Sequence, residues 1–278
     1  MKRILVPTDF SLPADNALKV AAQIAKKYDG EIYILHLLEL PLQLIDPLNE
    51  GIGGDLPESM FFLKLAHKKF AELLDKMSYH LEGIKIHEVV EFNSTSDGVL
   101  STVKKYDCDI IVMGSNGSDC LQDIFIGSNT EKVVRSSKIP VLVIKKEMPI
   151  FKIENFAFVS NLTIKNRKAF KSAFEFSKIL NAQLHLAYIN TPNKFKTTEE
   201  IDSFLDEFIS GINYDISQFH IYNDVTVERG IRNFSSKINA DLIGIGTHGR
   251  KGISHFISGS IAEGVVNHVQ TPILTFKI

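Results

Sequence analysis

The 278-residue sequence predicts an α/β protein made of two tandem doubly wound domains, each a parallel sheet with helices on both faces. Three observations predict it. Short apolar, partly β-branched runs alternate with stretches whose apolar residues recur at helical spacing, the order that produces parallel strands and right-handed crossovers. The length suffices for two domains of ordinary size, and 44% apolar content can fill two cores. The third observation is a duplication. Gly114, Gly117, Gly127 and Ser128 recur as Gly246, Gly249, Gly259 and Ser260 at a constant offset of 132. One chance occurrence of G-x-x-G, nine residues and then G-S is on the order of one per cent per chain at average glycine usage. Two in register argue for a repeated unit.

The first unit opens with a buried strand, Ile4-Leu-Val-Pro-Thr-Asp9, that ends in turn chemistry. Ser11 is the expected N-cap and Pro13 fits the first turn of a helix whose periodicity runs over 16–28. A strand over 31–38 follows. Residues 39–58 hold three prolines and three glycines and read as a long loop, either a lid or contact element or a plain surface excursion. The pattern then predicts a helix over 59–77, a strand over 84–92, a helix over 96–106 and a strand over 110–113. After the glycine loop come a helix over 129–137 and a strand over 141–145.

The second unit repeats the plan, with strands over 155–161, 183–189, 218–222, 242–245 and 273–276. Its helices fall over 166–180, 198–212 and 230–238. At the first strand the offset is 152, pairing Asp9 with Asn161, and the twenty extra residues correspond to the 39–58 loop. Ser260-Ile-Ala-Glu263 fits a capping box that opens the helix after the second glycine loop. Met148-Pro149 interrupts the pattern, so the domains are expected at 1–147 and 152–278.

Net charge is −2, which provides no attraction for nucleic acid. Cys108 and Cys120 form neither a CxxC nor a metal spacing, so the protein alone supplies no metal site, and scattered thiols suit a reducing compartment. No apolar run approaches the roughly 20 residues that span a bilayer, and Arg3-Ile-Leu-Val6 opens directly as a strand. The expectation is a cytoplasmic protein without a membrane partner. His36 and His185 fall in strands and read as core or edge residues. His248 and His255 fall in the second glycine loop without metal spacing, and Asp107 and Asp109 read as turn residues. No Walker lysine and no GxSxG motif is present.

A strand, a glycine-punctuated loop and a helix start point N–H groups at a concavity beside the positive end of a helix dipole, which suits a phosphate. Gly114 and Gly246 allow close backbone approach to a ligand. Asp9 can accept from a ribose hydroxyl or an adenine amine, or serve as a turn residue. Arg250 can pair with phosphate oxygens, or serve as a solvated loop cation. If the strands of Asp9 and Gly114 flank the point where strand order reverses, the two face each other across it.

VPTDFS, the strand ending MGSNG and the G-x-x-G…G-S spacing together resemble a universal stress protein domain, in two copies that cover nearly the whole chain. The resemblance implies five-stranded parallel sheets of order 3-2-1-4-5. It also implies an adenine nucleotide site for ATP, ADP or AMP. Carried over, the first site comprises Pro7, Thr8, Asp9, Leu37, Met113, Gly114, Gly117, Gly127, Ser128, Asn129 and Thr130. The second comprises Ser160, Asn161, Ile189, Ile245, Gly246, Gly249, Arg250, Gly259, Ser260 and Ile261. It further implies pairing through the fifth strand, here internally as a pseudo-dimer, with homodimerisation of the chain left open.

The copies differ. The first keeps Asp9, but its loop carries Asp119 and Asp123, which would repel a triphosphate unless Mg²⁺ intervenes. The second has His248, Arg250 and Lys251, but Asn161 replaces the acid. The expectation is therefore two unequal sites, the first better at adenosine and the second at phosphate. The functional expectation is a nucleotide-binding stress or energy-state sensor. A slow ATPase or nucleotidyl-handling enzyme and a nucleotide-free scaffold are the alternatives.

Overall fold

The computed structural model describes residues 1–38, 55–92, 95–115, 128–247 and 270–278. In the first half, β1 (Arg3–Pro7), β2 (Glu31–Leu38), β3 (Lys85–Phe92), β4 (Ile110–Gly114) and β5 (Val141–Ile144) alternate with α1 (Leu12–Tyr28), α2 (Asp55–Leu81), α3 (Thr95–Tyr106) and α4 (Ser128–Ser136). In the second, β6 (Asn155–Val159), β7 (Gln183–Asn190), β8 (Phe219–Asn223), β9 (Leu242–Thr247) and β10 (Ile273–Lys277) alternate with α5 (Ile164–Leu180), α6 (Thr198–Ile209) and α7 (Val227–Lys237).

The predicted elements that fall on described residues are present, with shifted ends. The largest shift is α2, which starts at Asp55 instead of 59 and runs to Leu81. Pro57 lies in its first turn, where proline needs no hydrogen-bond donor, so a residue read as loop opens the helix. α2 has 27 residues and α6 has 12, so the extra length of the first half is largely helix. Residues 39–54 of the expected loop and the expected capping box at Ser260 lie outside the described residues.

Each half is a parallel sheet in the expected order. The first reads β3-β2-β1-β4-β5, the second β8-β7-β6-β9-β10. The halves join edge to edge. β5 pairs antiparallel with β10, placing Leu274 opposite Leu142, Ile273 opposite Val143 and Thr275 opposite Val141. Leu142 and Leu274 are equivalents at the offset of 132, so a pseudo-two-fold axis passes through this pair and the interface is isologous. The expected internal pseudo-dimer is therefore built by one ladder within a ten-stranded sheet.

Side chains alternate across the sheet. Ile4 and Val6 join a core under α1 and α2, and Phe156 and Phe158 continue it under α5 and α6 as a single apolar cluster across both halves. On the opposite face each half keeps its own core. One is built around Leu5, Val99 and Val133, the other around Ala157, Ile231 and Phe234. Gln23 of α1 grips the connection between halves, donating to the Met148 carbonyl at 3.3 Å and accepting from the Phe151 amide at 2.7 Å. Tyr28 reaches across to the Ile179 carbonyl at 2.7 Å.

The repeat extends to backbone detail. Among the described residues the non-glycine positive φ values fall at Phe10 and Leu162, Asp29 and Asn181, and Asp107 and Asn239, three equivalent pairs. Asp109 is more than a turn residue: its Oδ2 accepts from the Lys2 and Arg3 amides, tying β4 to β1. Asp241 does the same with the Glu154 and Asn155 amides, both at 2.9 Å.

At the amino ends of the strands, Glu31 gathers Lys85 at 3.1 Å, His87 at 3.0 Å, Arg3 at 3.4 Å and the Tyr33 hydroxyl at 3.0 Å. The His87 and Lys85 bonds lead in holding its carboxyl down to about 2, from an ordinary value of 4.5. A depressed carboxylate stabilises the fold fully above pH 4.5, and the contribution is lost as pH falls toward 2. Thermal melts of Glu31→Gln and the parent should differ most near neutrality and converge over that window; a pH-independent gap contradicts the assignment. Leu274→Ala, a truncation of a side chain with 0% exposure at the pseudo-two-fold, is expected to cost about 2–5 kcal/mol in urea unfolding. A cost under about 1 kcal/mol would argue against the junction as a packed core.

Candidate functional site: the carboxyl ends of β1, β2 and β4

Strand order reverses between β1 and β4, which pair directly through Ile4–Ile110 and Leu5–Ile111. Pro7, Thr8 and Asp9 leave the carboxyl end of β1, Leu37 lies near that of β2, and Met113 and Gly114 end β4. Thr130, in the first turn of α4, donates its hydroxyl to the Gly114 carbonyl at 3.2 Å and pins that helix start to the strand end. Asn129 is exposed beside it. The fold thus brings Pro7, Thr8, Asp9, Leu37, Met113, Gly114, Asn129 and Thr130 to one end of the sheet, at the topological switch point where ligands settle in open α/β sheets. Ser128 begins α4. Gly117 and Gly127, with Asp119 and Asp123, lie outside the described residues.

The β1–α1 turn is held tightly. The buried Thr8 accepts the Phe10 amide at Oγ1, 2.9 Å away, and donates its own amide to the Leu35 carbonyl at 2.8 Å. Phe10 takes φ 64°, an uncommon conformation for a bulky side chain. Its ring packs on His36 at 4.6 Å and on Phe70 at 5.4 Å. His36 Nδ1 sits 2.9 Å from the Thr8 carbonyl and can only donate to it, so the ring is a brace for the turn. Burial lowers the His36 pKa from its ordinary value, which favours the neutral ring. Within this frame Asp9 is exposed, and among the described residues its Oδ1 accepts the Ser11 amide alone, at 3.0 Å. Asp9 is thus a turn residue with acceptor capacity left over. Ser11 occupies the N-cap position, but its hydroxyl makes no capping bond.

The second half repeats the turn with changed partners. Ser160 Oγ accepts the Leu162 amide at 3.1 Å, and Leu162 takes φ 58°. Asn161 Oδ1 accepts from the Thr163 amide, the Thr163 hydroxyl and Asn166 Nδ2. Ile189 and Ile245 are buried near the ends of β7 and β9, and Gly246 follows. The β7 end is closed by Asn190, whose amide bonds both the N–H and the carbonyl of Lys196, at 3.0 and 3.1 Å. Gly249, Arg250, Gly259, Ser260 and Ile261, with His248, Lys251 and His255, lie outside the described residues. His185 is a core residue as expected, its Nδ1 lying 3.2 Å from His220 Nε2.

The glycines have a reason the sequence did not disclose. A Cβ on Gly114 would stand 2.6 Å from the Pro13 carbonyl oxygen, so α1 is seated against the β4 end. A Cβ on Gly246 would meet Ile278 at 2.8 Å and Asn166 Oδ1 at 2.9 Å. Helix packing alone therefore demands glycine at Gly114, whatever ligand lies above. Sequence reasoning also missed Phe10, Pro13 and Asn166. Equal spacing from the repeat was the one signal available for Phe10, through Leu162. Gly114→Val should cost about 1–3 kcal/mol by overpacking, measured without any nucleotide. A ligand-free melt like that of the parent would show that the α1 contact is slack.

With this geometry in place, the chain can be set beside known proteins. The profile described as the universal stress protein family matches residues 1–145 and 215–277. A universal stress protein of Methanocaldococcus jannaschii is 33% identical over 156 residues, covering 52% of this chain and 96% of that one. A universal stress protein of Synechocystis is 24% identical over 295 residues and spans the full length of both chains. A universal stress protein structure from Archaeoglobus fulgidus shares the fold at a TM-score of 0.70 and 22% identity, over 99% of this chain and 96% of that one. The sheet order, the paired switch points and the two matched segments lead to one conclusion: this chain belongs to the universal stress protein family.

Proposed function

We propose that the first half binds an adenine nucleotide, ATP or its lower phosphates, and that the second half holds phosphate better than it selects adenosine. Occupancy then biases a conformational or assembly equilibrium that other proteins read, the behaviour of a sensor. The observation that carries this reading is Asp9, an exposed carboxylate held in a hydrogen-bonded turn at the β1–β4 switch point, with one oxygen engaged by Ser11 and the other without a partner among the described residues.

The residues around it suit the ligand. An uncommitted carboxylate oxygen accepts a ribose hydroxyl or an adenine amine. The start of α4, pinned by Thr130 to the end of β4, supplies N–H groups and the positive dipole end for a phosphate. Family membership supports the reading.

Asp9→Asn removes the charge and keeps the turn bond to Ser11. Isothermal titration with ATP should show about tenfold weaker binding, the difference between a charge-assisted and a neutral hydrogen bond. Unchanged affinity would sink the role given to Asp9, and an absence of ATP uptake by the parent protein would sink the nucleotide reading itself.

A further inference from the structure

The outer edge of the second half holds two histidine rings in contact. His185 of β7 and His220 of β8 lie on the sheet face covered by α7. His185 Nδ1 and His220 Nε2 are 3.2 Å apart, so a hydrogen bond joins the rings. It requires an N–H on one ring and a bare lone pair on the other. His185 is 9% exposed, and its Nε2 is buried with no hydrogen-bond partner among the described residues. β8 is the last strand of the sheet and is half-buried along most of its length. Its seat therefore depends on β7 and on α7, whose Phe234 packs on the His220 ring at 5.2 Å.

The groups around the pair are neutral or cationic. His220 faces Lys237 of α7, whose ammonium lies 5.7 Å from the centre of the Tyr222 ring. β6 and β7 bring Ala157 and Ala187 to this face, and α7 brings Ile231 and Phe234. Neither ring has a carboxylate partner among the described residues. A first added proton can go to the half-buried His220, with its N–H still donated to His185. A second must go to His185. It would set two N–H groups against each other, place two cations side by side and bury a charged N–H at Nε2. Burial lowers the pKa of both rings from the ordinary 6.5, with His220 adding to the shift at His185 and Lys237 to that at His220. Below that value the released strand binds more protons than the seated one. The hold is therefore full above 6.5 and weakens as pH falls.

The first half is built differently here. Its equivalents of His185 and His220 are Tyr33 and Val89. His87, on the same face of β3, lies 3.0 Å from the Glu31 carboxylate, so a proton there adds attraction instead of repulsion.

We propose that the His185–His220 pair is an acid-released latch that fastens β8 and α7 to the second half. A proton on each ring breaks the bond between them and opens this edge, while the first half stays closed. The opening reaches the carboxyl end of β7, because α7 is seated there: a Cβ on Gly230 would overlap Ile189. The latch is independent of the nucleotide reading.

Amide hydrogen exchange of the full chain, read by mass spectrometry at about pH 7.5 and about pH 5 and corrected for the intrinsic pH dependence of exchange, tests this. Opening of β8 and α7 should rise about tenfold or more at the lower pH, relative to β3, the edge strand of the first half. His220→Gln supplies a donor that does not titrate and should remove that rise. The double variant His185→Tyr with His220→Val installs the first-half residues. It should remove the rise too, and serves if the glutamine loosens the edge at neutral pH. Nitrogen NMR of the parent should show the two rings charging in separate steps. β8 exchange that keeps pace with β3 overturns the proposal. So does a rise that survives in both variants, or a pair of rings that charge together near the ordinary 6.5.

Discussion

The antiparallel pairing of β5 with β10 is the constraint on which the rest depends. An exposed parallel-sheet edge is a row of unpaired main-chain groups, and each half alone would present one at its fifth strand as well as one at its third. Joining the two edges about Leu142 and Leu274 satisfies both and lets one apolar cluster run across the junction on the α1–α5 face. The geometry has a functional consequence. Strands of the two halves run in opposite directions across the ladder, so the carboxyl ends of β1 and β4 lie at the opposite end of the sheet from those of β6 and β9. Each half therefore keeps its own switch point, separated from the other by the full length of a strand.

A symmetric backbone carries asymmetric side chains. The left-handed residues come in equivalent pairs, and Asp109 and Asp241 clamp their strands in the same way. At the crevice the pairs diverge: Asp9 becomes Asn161, Ala14 becomes Asn166, His36 becomes Tyr188 and Leu38 becomes Asn190. Duplication supplied two copies of a scaffold, and these substitutions gather around the first strand end, the second strand end and the helix start that follows the first turn. The His36 brace on the Thr8 carbonyl and the Ser160 bond to the Leu162 amide hold the two equivalent turns, so the divergence is in side-chain chemistry and not in backbone path.

Much of the fold was legible because alternation of period and the repeated glycine spacing are one-dimensional signals. The strand order followed from the family resemblance, and the β1–β4 switch point followed from that order. The rest needed coordinates. Phe10 and Leu162 give no local sign of positive φ, since neither glycine nor asparagine marks the position. Gly114 looked like a ligand approach, yet Pro13 fills its Cβ side, a contact between residues far apart in the chain. Pro57 looked like loop because a helix start and a loop use proline alike. Asn166 pairs with Asn161 only because a turn and the first coil of α5 fold back, which no periodicity encodes.

The central claim is that one frame holds two crevices of unequal chemistry. Native mass spectrometry of the intact chain across a range of ATP concentrations measures this directly. The account predicts a single adduct saturating at roughly a tenth of the concentration needed for the second. Two adducts that fill together, or a chain that gains no mass at any concentration, would contradict it.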